Sequence, residues 1–207
     1  MGDTRWQQIT GGQGGEEYAA RFRALAESGA DLHGEASFAA TLLDRPGRVL
    51  DAGCGTGRVA IRLADLGHDC VGTDVDESML AVARREAPDL PWFAADLASV
   101  TDADLGGAGD FDLVVLAGNV VPLLAEGTLP SAVARLRDLL RPGGRLVAGF
   151  GLDRAHLPRG CPVTPLADYD HACDDAGLSA ERRFSSWDAE PFEEGTGYAV
   201  CVHVRRG

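Results

Sequence analysis

The sequence predicts an α/β fold built on a mostly parallel sheet. From Arg48 onward, short apolar runs alternate with amphipathic stretches that have helical periodicity. Glycine- or proline-rich turn signals separate these segments. The last two apolar runs are separated only by a polar loop, which favours an antiparallel hairpin. A chain of 207 residues with 45% hydrophobic residues can bury one sizeable core, so we expect a single domain.

Two helices are predicted before the first strand. The first 15 residues end in GGQGG and show no pattern, so they are expected to be a disordered tail in front of a domain at 16–207. EEYAARFRALAES and EASFAATLL then form helices within the segment 16–44. We expect this segment to close over the sheet as a lid, with Tyr18 and Arg21 or Arg23 facing a ligand.

The central elements follow in order. The predicted strands are RVLDAG, DCVGTD, WFAAD, FDLVVLA, RLVAGF, ERRFSSW and YAVCVHVRR. The predicted helices are 58–66, 77–87 with Asp76 as its N-cap, about 129–140 before the turn RPGG, and about 167–176 before Gly177.

Composition excludes several function classes. The formal net charge of −13 disfavours nucleic acid as a partner. The chain contains no lysine, which excludes a P-loop and Schiff-base chemistry. Its five cysteines are an odd number without a CxxC pair, which is typical of reduced thiols. With no long apolar stretch either, we expect a cytoplasmic protein without a membrane partner.

The stretch VLDAGCGTG carries the first functional signal. Gly53, Gly55 and Gly57 follow a strand and precede a helix, where backbone N–H groups face a ligand at the carboxyl edge of a parallel sheet. This arrangement predicts a site for a nucleoside-like cofactor. A dinucleotide fingerprint would require Gly or Ala where this chain has Arg58, so a pyrophosphate loop is disfavoured.

Acidic residues end the next two strands. Asp74 closes the second strand, where a carboxylate accepts hydrogen bonds from ribose hydroxyls. Asp96 ends the third strand, where a carboxylate can accept from the exocyclic amine of adenine. The fourth strand ends in AGN, whose backbone can meet the other end of such a ligand.

These motifs resemble those of the class I S-adenosylmethionine-dependent methyltransferases. VLDAGCGTG, VGTDVDESML, FAADLA, FDLVVLAGNV and LLRPGGRLV are similar to five family motifs in the same order, and the resemblance covers roughly Arg48 to Phe150. It implies a Rossmann-like, doubly wound sheet of seven strands with an antiparallel C-terminal strand and helices on both faces. It also implies an enzyme that uses S-adenosylmethionine and releases S-adenosylhomocysteine.

The resemblance further implies residue roles. Asp51 would hold the methionyl ammonium above the glycine loop, Asp74 the ribose, and Met79 the adenine face. Asp96 and the Leu97 backbone would meet the adenine edge, and the Ala117 backbone would lie near the amine. The expected cofactor-binding residues are Tyr18, Arg23, Asp51, Gly53, Gly55, Gly57, Asp74, Val75, Met79, Asp96, Leu97 and Ala117.

The acceptor is expected to be a small molecule methylated at oxygen or nitrogen. By the resemblance, the acceptor pocket would be built from about 18–38, 119–127 and 151–169. These segments contain neither an Asn/Asp-Pro-Pro-Tyr signature nor obvious paired carboxylates for a magnesium-dependent catechol site. In-line transfer needs chiefly orientation, so a base is required only for a protonated acceptor. The catalytic candidates are His33, His156 and Tyr18, although both histidines also suit a surface position.

Three alternatives are weighed against this interpretation. His156, Cys161, His171 and Cys173 lie in one segment, but their spacing fits no tetrahedral site, so no metal is expected. A regulatory protein that only binds S-adenosylmethionine would carry the same motifs. An NAD(P)-dependent oxidoreductase is disfavoured by Arg58 in the loop and by the missing lysine.

Overall fold

A seven-stranded sheet forms the centre of the protein. The computed structural model describes residues 2–207. The strands are β1 (Arg48–Ala52), β2 (Asp69–Asp74), β3 (Trp92–Ala94), β4 (Phe111–Leu116), β5 (Leu140–Gly151), β6 (Leu178–Phe184) and β7 (Tyr198–Arg205). Their order is β3-β2-β1-β4-β5-β7-β6, and β7 runs in the opposite direction to the other six strands. The predicted mostly parallel sheet with an antiparallel C-terminal strand is confirmed.

Helices surround the sheet. They are α1 (Arg5–Thr10), α2 (Gly15–Glu27), α3 (Gly34–Ala40), α4 (Arg58–Asp65), α5 (Glu77–Glu86), α6 (Val120–Leu123), α7 (Leu129–Leu139) and α8 (Leu166–Asp175). As predicted, the Asp76 side chain caps α5 by accepting a hydrogen bond from the backbone of Ser78. No helix within residues 2–207 combines the length and apolar character needed to cross a bilayer.

Alternating side chains of the strands feed two apolar clusters, one on each face of the sheet. On β1, Leu50 and Ala52 join one cluster and Val49 joins the other, and all three are fully buried. Because the sheet is covered on both faces, a ligand can reach the strands only at an edge. The carboxyl ends of β1, β2 and β4 meet at one such edge.

Three strands have boundaries that differ from the sequence prediction. The predicted sixth strand, ERRFSSW, lies three residues too late, since β6 spans Leu178–Phe184. The predicted fifth strand begins at Arg145, whereas β5 begins at Leu140 and includes the RPGG stretch. Phe111 pairs with Leu140 before a register shift places Leu113 opposite Arg145, so the turn residues are a strand irregularity. The third strand is shorter than predicted and ends at Ala94.

The N-terminal segment contains a helix that the sequence analysis did not predict. The sequence was expected to lack regular structure before residue 16, but Arg5–Thr10 form a helix. Thr4 caps this helix by accepting from the Gln7 backbone, and the Gln7 side chain accepts from the Thr4 backbone, which completes a capping box. The Trp6 indole N–H donates to Asp76 Oδ2 at 2.7 Å. The segment is therefore attached to the domain at the N-terminus of α5.

Candidate functional site

A cavity opens at the carboxyl edge of the central strands, and it encloses about 870 Å³ when the solvent-open part is included. We call it the edge cavity. It combines apolar side chains with a few buried carboxylates, as small-molecule sites do. Ten of the predicted cofactor-binding residues line it: Tyr18, Asp51, Gly53, Gly55, Asp74, Val75, Met79, Asp96, Leu97 and Ala117.

The glycine loop forms the floor of the edge cavity. Gly53, Gly55 and Gly57 have φ values of +76°, +54° and +84°, which side chains make unfavourable. A Cβ on Gly53 would lie 2.7 Å from Val120, and one on Gly57 would lie 2.5 Å from the Trp92 ring. Gly57 caps α4 beneath the cavity rather than lining it. The loop thus requires glycine for its own backbone and packing.

Asp74 connects the loop to the next helix. Its Oδ2 accepts from the backbone N–H of Gly55 at 2.8 Å, and its Oδ1 accepts from that of Asp76 at 2.9 Å. Burial raises the pKa of Asp74 to about 6, although both backbone hydrogen bonds favour the ionised form. Each carboxylate oxygen retains a lone pair for a ligand hydroxyl.

Asp51 is the second buried carboxylate in the edge cavity. Only 2% of it is exposed, and its Oδ2 accepts from the Ala60 backbone at 3.0 Å. Burial raises its pKa to about 7. Because a positive charge beside such a group would favour its ionised form, Asp51 suits a cationic part of a ligand.

Residues of α5 and of the loops after β3 and β4 form the other end of the edge cavity. Met79 from α5 is 4% exposed and Leu97 is 5% exposed, so both present apolar surface. Asp96 accepts from the Ala98 backbone at 2.9 Å through Oδ1, which leaves Oδ2 without a protein hydrogen bond among residues 2–207. Ala117 follows β4 and lines the same cavity.

The N-terminal helices cover the edge cavity. Tyr18 lies where the sequence predicted it, with its ring 4.7 Å from that of Phe22 and 6.0 Å from that of Trp6. Burial raises the pKa of the Tyr18 phenol, which therefore stays protonated near neutral pH. Thr4 and Trp6 also line the cavity, and sequence reasoning missed both. The capping-box spacing of Thr4 and Gln7 was the available signal.

Arg58 lines the edge cavity, whereas Arg21 and Arg23, the arginines expected there, are both exposed on α2. Arg23 does not line the edge cavity, which corrects the prediction. Arg58 lines the cavity and forms a bidentate pair with Glu35 at 2.6 and 2.9 Å. It also donates to the Leu32 carbonyl, and its guanidinium lies 5.0 Å from the centre of the Phe22 ring. The sequence signal for this cation was its position directly after the glycine loop.

The two histidine candidates lie elsewhere. His33 is an exposed residue before α3 that lies outside the edge cavity, so the structure does not bring it to the site. His156 lines a second, more open depression together with Glu35, Trp187 and Tyr198. We call this depression the side cleft. Glu35 pairs with Arg58 of the edge cavity, so the two spaces share a wall.

Known proteins similar to this chain agree with the geometry. The family described as "Methyltransferase domain" matches residues 49–144. A demethylmenaquinone methyltransferase from Beutenbergia cavernae is 42% identical over 192 residues, covering 78% of this chain and 75% of that protein. A ubiquinone biosynthesis O-methyltransferase from Cereibacter sphaeroides is 39% identical over 101 residues, but the alignment spans only 39% of its length.

A solved structure matches nearly the whole chain. A TehB-like SAM-dependent methyltransferase from Corynebacterium glutamicum superposes with a TM-score of 0.83 at 36% identity, covering 93% of this chain and 98% of that one. The sequence motifs, the sheet order and the edge cavity lead to the same conclusion. The chain belongs to the class I S-adenosylmethionine-dependent methyltransferases.

Proposed function

We propose that the protein transfers the methyl group of S-adenosylmethionine, bound in the edge cavity, to a small-molecule acceptor. Two buried carboxylates support this proposal most strongly. Asp51 and Asp74 lie toward the carboxyl ends of the adjacent strands β1 and β2, and both line the edge cavity. S-adenosylmethionine combines cationic groups, vicinal hydroxyls and an apolar base. The residues of the edge cavity fit each of these parts.

The cofactor extends across the cavity from its polar wall to its apolar wall. Asp51 holds the ammonium group, and Asp74 accepts hydrogen bonds from the ribose hydroxyls. Met79 and Leu97 cover the adenine faces, while the free oxygen of Asp96 accepts from the exocyclic amine. The bound cofactor supplies a methyl group already activated on a sulfonium. The chain's own task is orientation, which can lower a barrier by roughly 7 to 11 kcal/mol.

Arg58 pairs with the carboxylate of the methionyl group. Its side chain reaches the edge cavity, and Glu35 fixes its guanidinium in one orientation. Glu35 leaves donor capacity on the guanidinium, which offers five N–H groups in total. Tyr18 closes the cavity from the side of α2, and Phe22 packs behind it against both Tyr18 and Arg58.

A small acceptor is supported by the covered entrance and by the relatives. α1 and α2 lie over the edge cavity, which limits access for a macromolecule. The net charge of −13 opposes a nucleic-acid partner. The names of two relatives refer to demethylmenaquinone and ubiquinone biosynthesis, so a quinone precursor is the first acceptor to test.

The test follows a labelled methyl group. The protein is incubated with methyl-labelled S-adenosylmethionine and, separately, with demethylmenaquinone, a small-molecule cell extract, bulk protein and bulk RNA. We expect label and S-adenosylhomocysteine in small-molecule fractions only. Label in protein or RNA would contradict the proposal. Cofactor binding without transfer to any fraction would indicate a non-catalytic binder.

Trp6→Phe tests whether α1 belongs to the cofactor site. Phenylalanine keeps an aromatic ring beside Tyr18 but removes the N–H that bonds to Asp76. Hydrogen bonds to charged groups contribute about 1.5 to 3 kcal/mol, so we expect α1 to detach and cofactor affinity to fall about 10-fold or more. Isothermal titration with S-adenosylhomocysteine measures the change. Trp187→Phe, which alters a tryptophan outside the edge cavity, is the matched control; equal affinities of all three proteins would refute the role of α1.

A further inference from the structure

His156 and Asp153 form a hydrogen-bonded pair beside the edge cavity. His156 Nδ1 lies 2.8 Å from Asp153 Oδ1, which also accepts from the backbone N–H of Ala155 and of His156. The hydrogen bond from His156 holds the pKa of Asp153 below its ordinary value. An ionised carboxylate can only accept, so Nδ1–H donates to Asp153, and in the neutral imidazole Nε2 is then the nitrogen that can accept a proton. Nε2 makes no hydrogen bond to any of residues 2–207.

The backbone around the pair is shaped for the imidazole. A Cβ on Gly197 would collide with the His156 ring and with Asp153, and a Cβ on Gly151 would lie 2.7 Å from the His156 carbonyl oxygen. Asn119 donates to that carbonyl at 3.1 Å and accepts from the Gly151 backbone at 2.7 Å. Asp153 thus orients the ring, while Asn119 and the neighbouring Gly151 and Gly197 fix the backbone and the space around His156.

Those segments connect His156 to the edge cavity. Asn119 lies between Gly118 and Val120, which both line the edge cavity, and its side chain bonds to the His156 backbone. On the other side, Arg58 lines the edge cavity and its ion-pair partner Glu35 lines the side cleft. The side cleft is therefore adjacent to the end of the edge cavity where Asp51 and Arg58 lie.

Aromatic residues line the side cleft. Trp187 Nε1 donates to the Tyr198 hydroxyl at 3.1 Å, and the Tyr198 ring centre lies 6.4 Å from that of His156. Burial raises the pKa of Tyr198 to about 12, so its phenol is neutral and does not compete as a base. These rings offer stacking surface for an aromatic acceptor next to the imidazole.

The charges around the side cleft are negative. Among residues 2–207, Asp31, Glu35 and Asp188 line it and no arginine does. Glu35 is paired with Arg58, so Asp31 and Asp188 carry the uncompensated charge. The guanidinium of Arg58, which forms the ion pair with Glu35, does not line the side cleft. Carboxylates at this rim repel an anionic acceptor and tolerate a neutral or cationic one.

We propose that the side cleft holds a neutral or cationic phenol as methyl acceptor, and that His156, oriented by Asp153, removes its proton. This inference rests on the proposed function of the edge cavity. The phenol oxygen attacks the methyl carbon and forms the new O–C bond. The C–S bond of S-adenosylmethionine breaks with its electron pair going to sulfur, and the phenolic proton moves to His156 Nε2. His156 acts as the catalytic base, while Asp153 is a positioning residue.

The test uses three phenols that differ in charge: tyramine, p-cresol and 4-hydroxyphenylacetate. Mass spectrometry follows the methyl ether, and titration with S-adenosylhomocysteine verifies the cofactor site independently. We expect transfer to tyramine and p-cresol, and at least about 10-fold less to the anionic acid. A protein that binds the cofactor but methylates none of the three, or prefers the acid, overturns the assigned acceptor class.

Two variants test the base directly. His156→Gln is expected to lower transfer to p-cresol about 100-fold at neutral pH, within the usual range for general bases. Raising the pH toward the phenol's own pKa of about 10 should restore much of this loss. Asp153→Asn should give an intermediate loss, and His171→Gln, an exposed histidine of α8, should give none. If His156→Gln keeps full activity at neutral pH, or gains nothing at high pH, His156 is not the base.

A binding readout complements the kinetics. With ¹⁵N-labelled histidine, addition of p-cresol to the protein bound to S-adenosylhomocysteine should shift one imidazole signal. That signal should be absent from His156→Gln and present in His171→Gln. A p-cresol-dependent shift that persists in His156→Gln overturns the placement of the acceptor in the side cleft.

Discussion

Asp74→Asn is expected to weaken S-adenosylmethionine binding about 30-fold, because hydrogen bonds to a charged group contribute about 1.5 to 3 kcal/mol each. In the protein, Asp74 accepts from the backbone of both Gly55 and Asp76. Asparagine retains one acceptor oxygen and places an NH₂ group against the other backbone N–H. The substitution thus removes a ribose acceptor and also disturbs the glycine loop. Isothermal titration measures the loss of affinity.

A 2′-deoxy analogue of S-adenosylmethionine separates these two effects. If Asp74 contacts the ribose, the natural protein should prefer the normal cofactor, and Asp74→Asn should lose this preference. Disturbance of the loop alone would weaken both ligands equally. Asp69→Asn is the matched control, since Asp69 is exposed at the opposite end of β2, where it pairs with Arg48. We expect that control to bind like the natural protein.

Cofactor affinity is expected to rise between about pH 6 and pH 8, because burial raises the pKa of Asp51 to about 7 and that of Asp74 to about 6. Below these values the two groups are protonated and attract a cationic ligand only weakly. At a pH above these pKa values both carboxylates are ionised. The positive ammonium and sulfonium groups of the ligand then offset the cost of burying the two negative charges. Titrations across this range should show an affinity gain that Asp51→Asn reduces to the smaller part contributed by Asp74.

The stability of the free protein should change in the opposite direction. The folded pKa of Asp51 exceeds its ordinary value of 3.8, so the folded state binds more protons than the unfolded chain between about pH 4 and pH 7. The resulting stability is complete below about pH 4 and is lost as the pH rises through about 7. Since one pKa unit corresponds to about 1.4 kcal/mol, this loss is at most about 4 kcal/mol.

Asp51→Asn is a matched variant for both measurements. Its amide oxygen can still accept from the Ala60 backbone, so local packing is retained. The difference between the denaturation free energies of the two proteins should grow from pH 5 to pH 8 in favour of the variant. A difference that stays constant with pH would show that Asp51 titrates at its ordinary pKa, and would remove the basis for the pH-dependent affinity.

The residues that sequence analysis placed well are those whose neighbours along the chain define their position. Asp51, the glycine loop and Asp74 follow directly from strand ends, and parallel strands bring their carboxyl ends to one edge. The resemblance placed Met79 at the adenine, and in the structure Met79 is buried and lines the edge cavity.

The residues that sequence analysis missed depend on contacts between distant segments. Trp6 reaches the edge cavity through a hydrogen bond to Asp76, seventy positions away. Arg58 faces the cavity because Glu35 and the Leu32 carbonyl fix it, whereas Arg23 points to solvent. Helical periodicity predicts which side of α2 is apolar, but it does not predict which arginine from another segment will line the edge cavity.

The aromatic wall of the side cleft was missed for the same reason. Trp187 follows β6 and Tyr198 begins β7, and neither belongs to a motif. Their position depends on the insertion of β7 between β5 and β6. His156 was a candidate from the sequence, but only the structure revealed its hydrogen bond to Asp153.

Thermal denaturation at pH 8 with four ligands tests the central claim most directly. A ligand at about 100 times its dissociation constant stabilises the folded state by roughly 2.7 kcal/mol, which corresponds to a rise in Tm of about 5 to 10 °C for a domain of this size. S-adenosylmethionine and S-adenosylhomocysteine should each produce such a shift, and NAD and ATP should produce almost none. A large shift with NAD and none with S-adenosylmethionine would contradict the assignment of the edge cavity to S-adenosylmethionine.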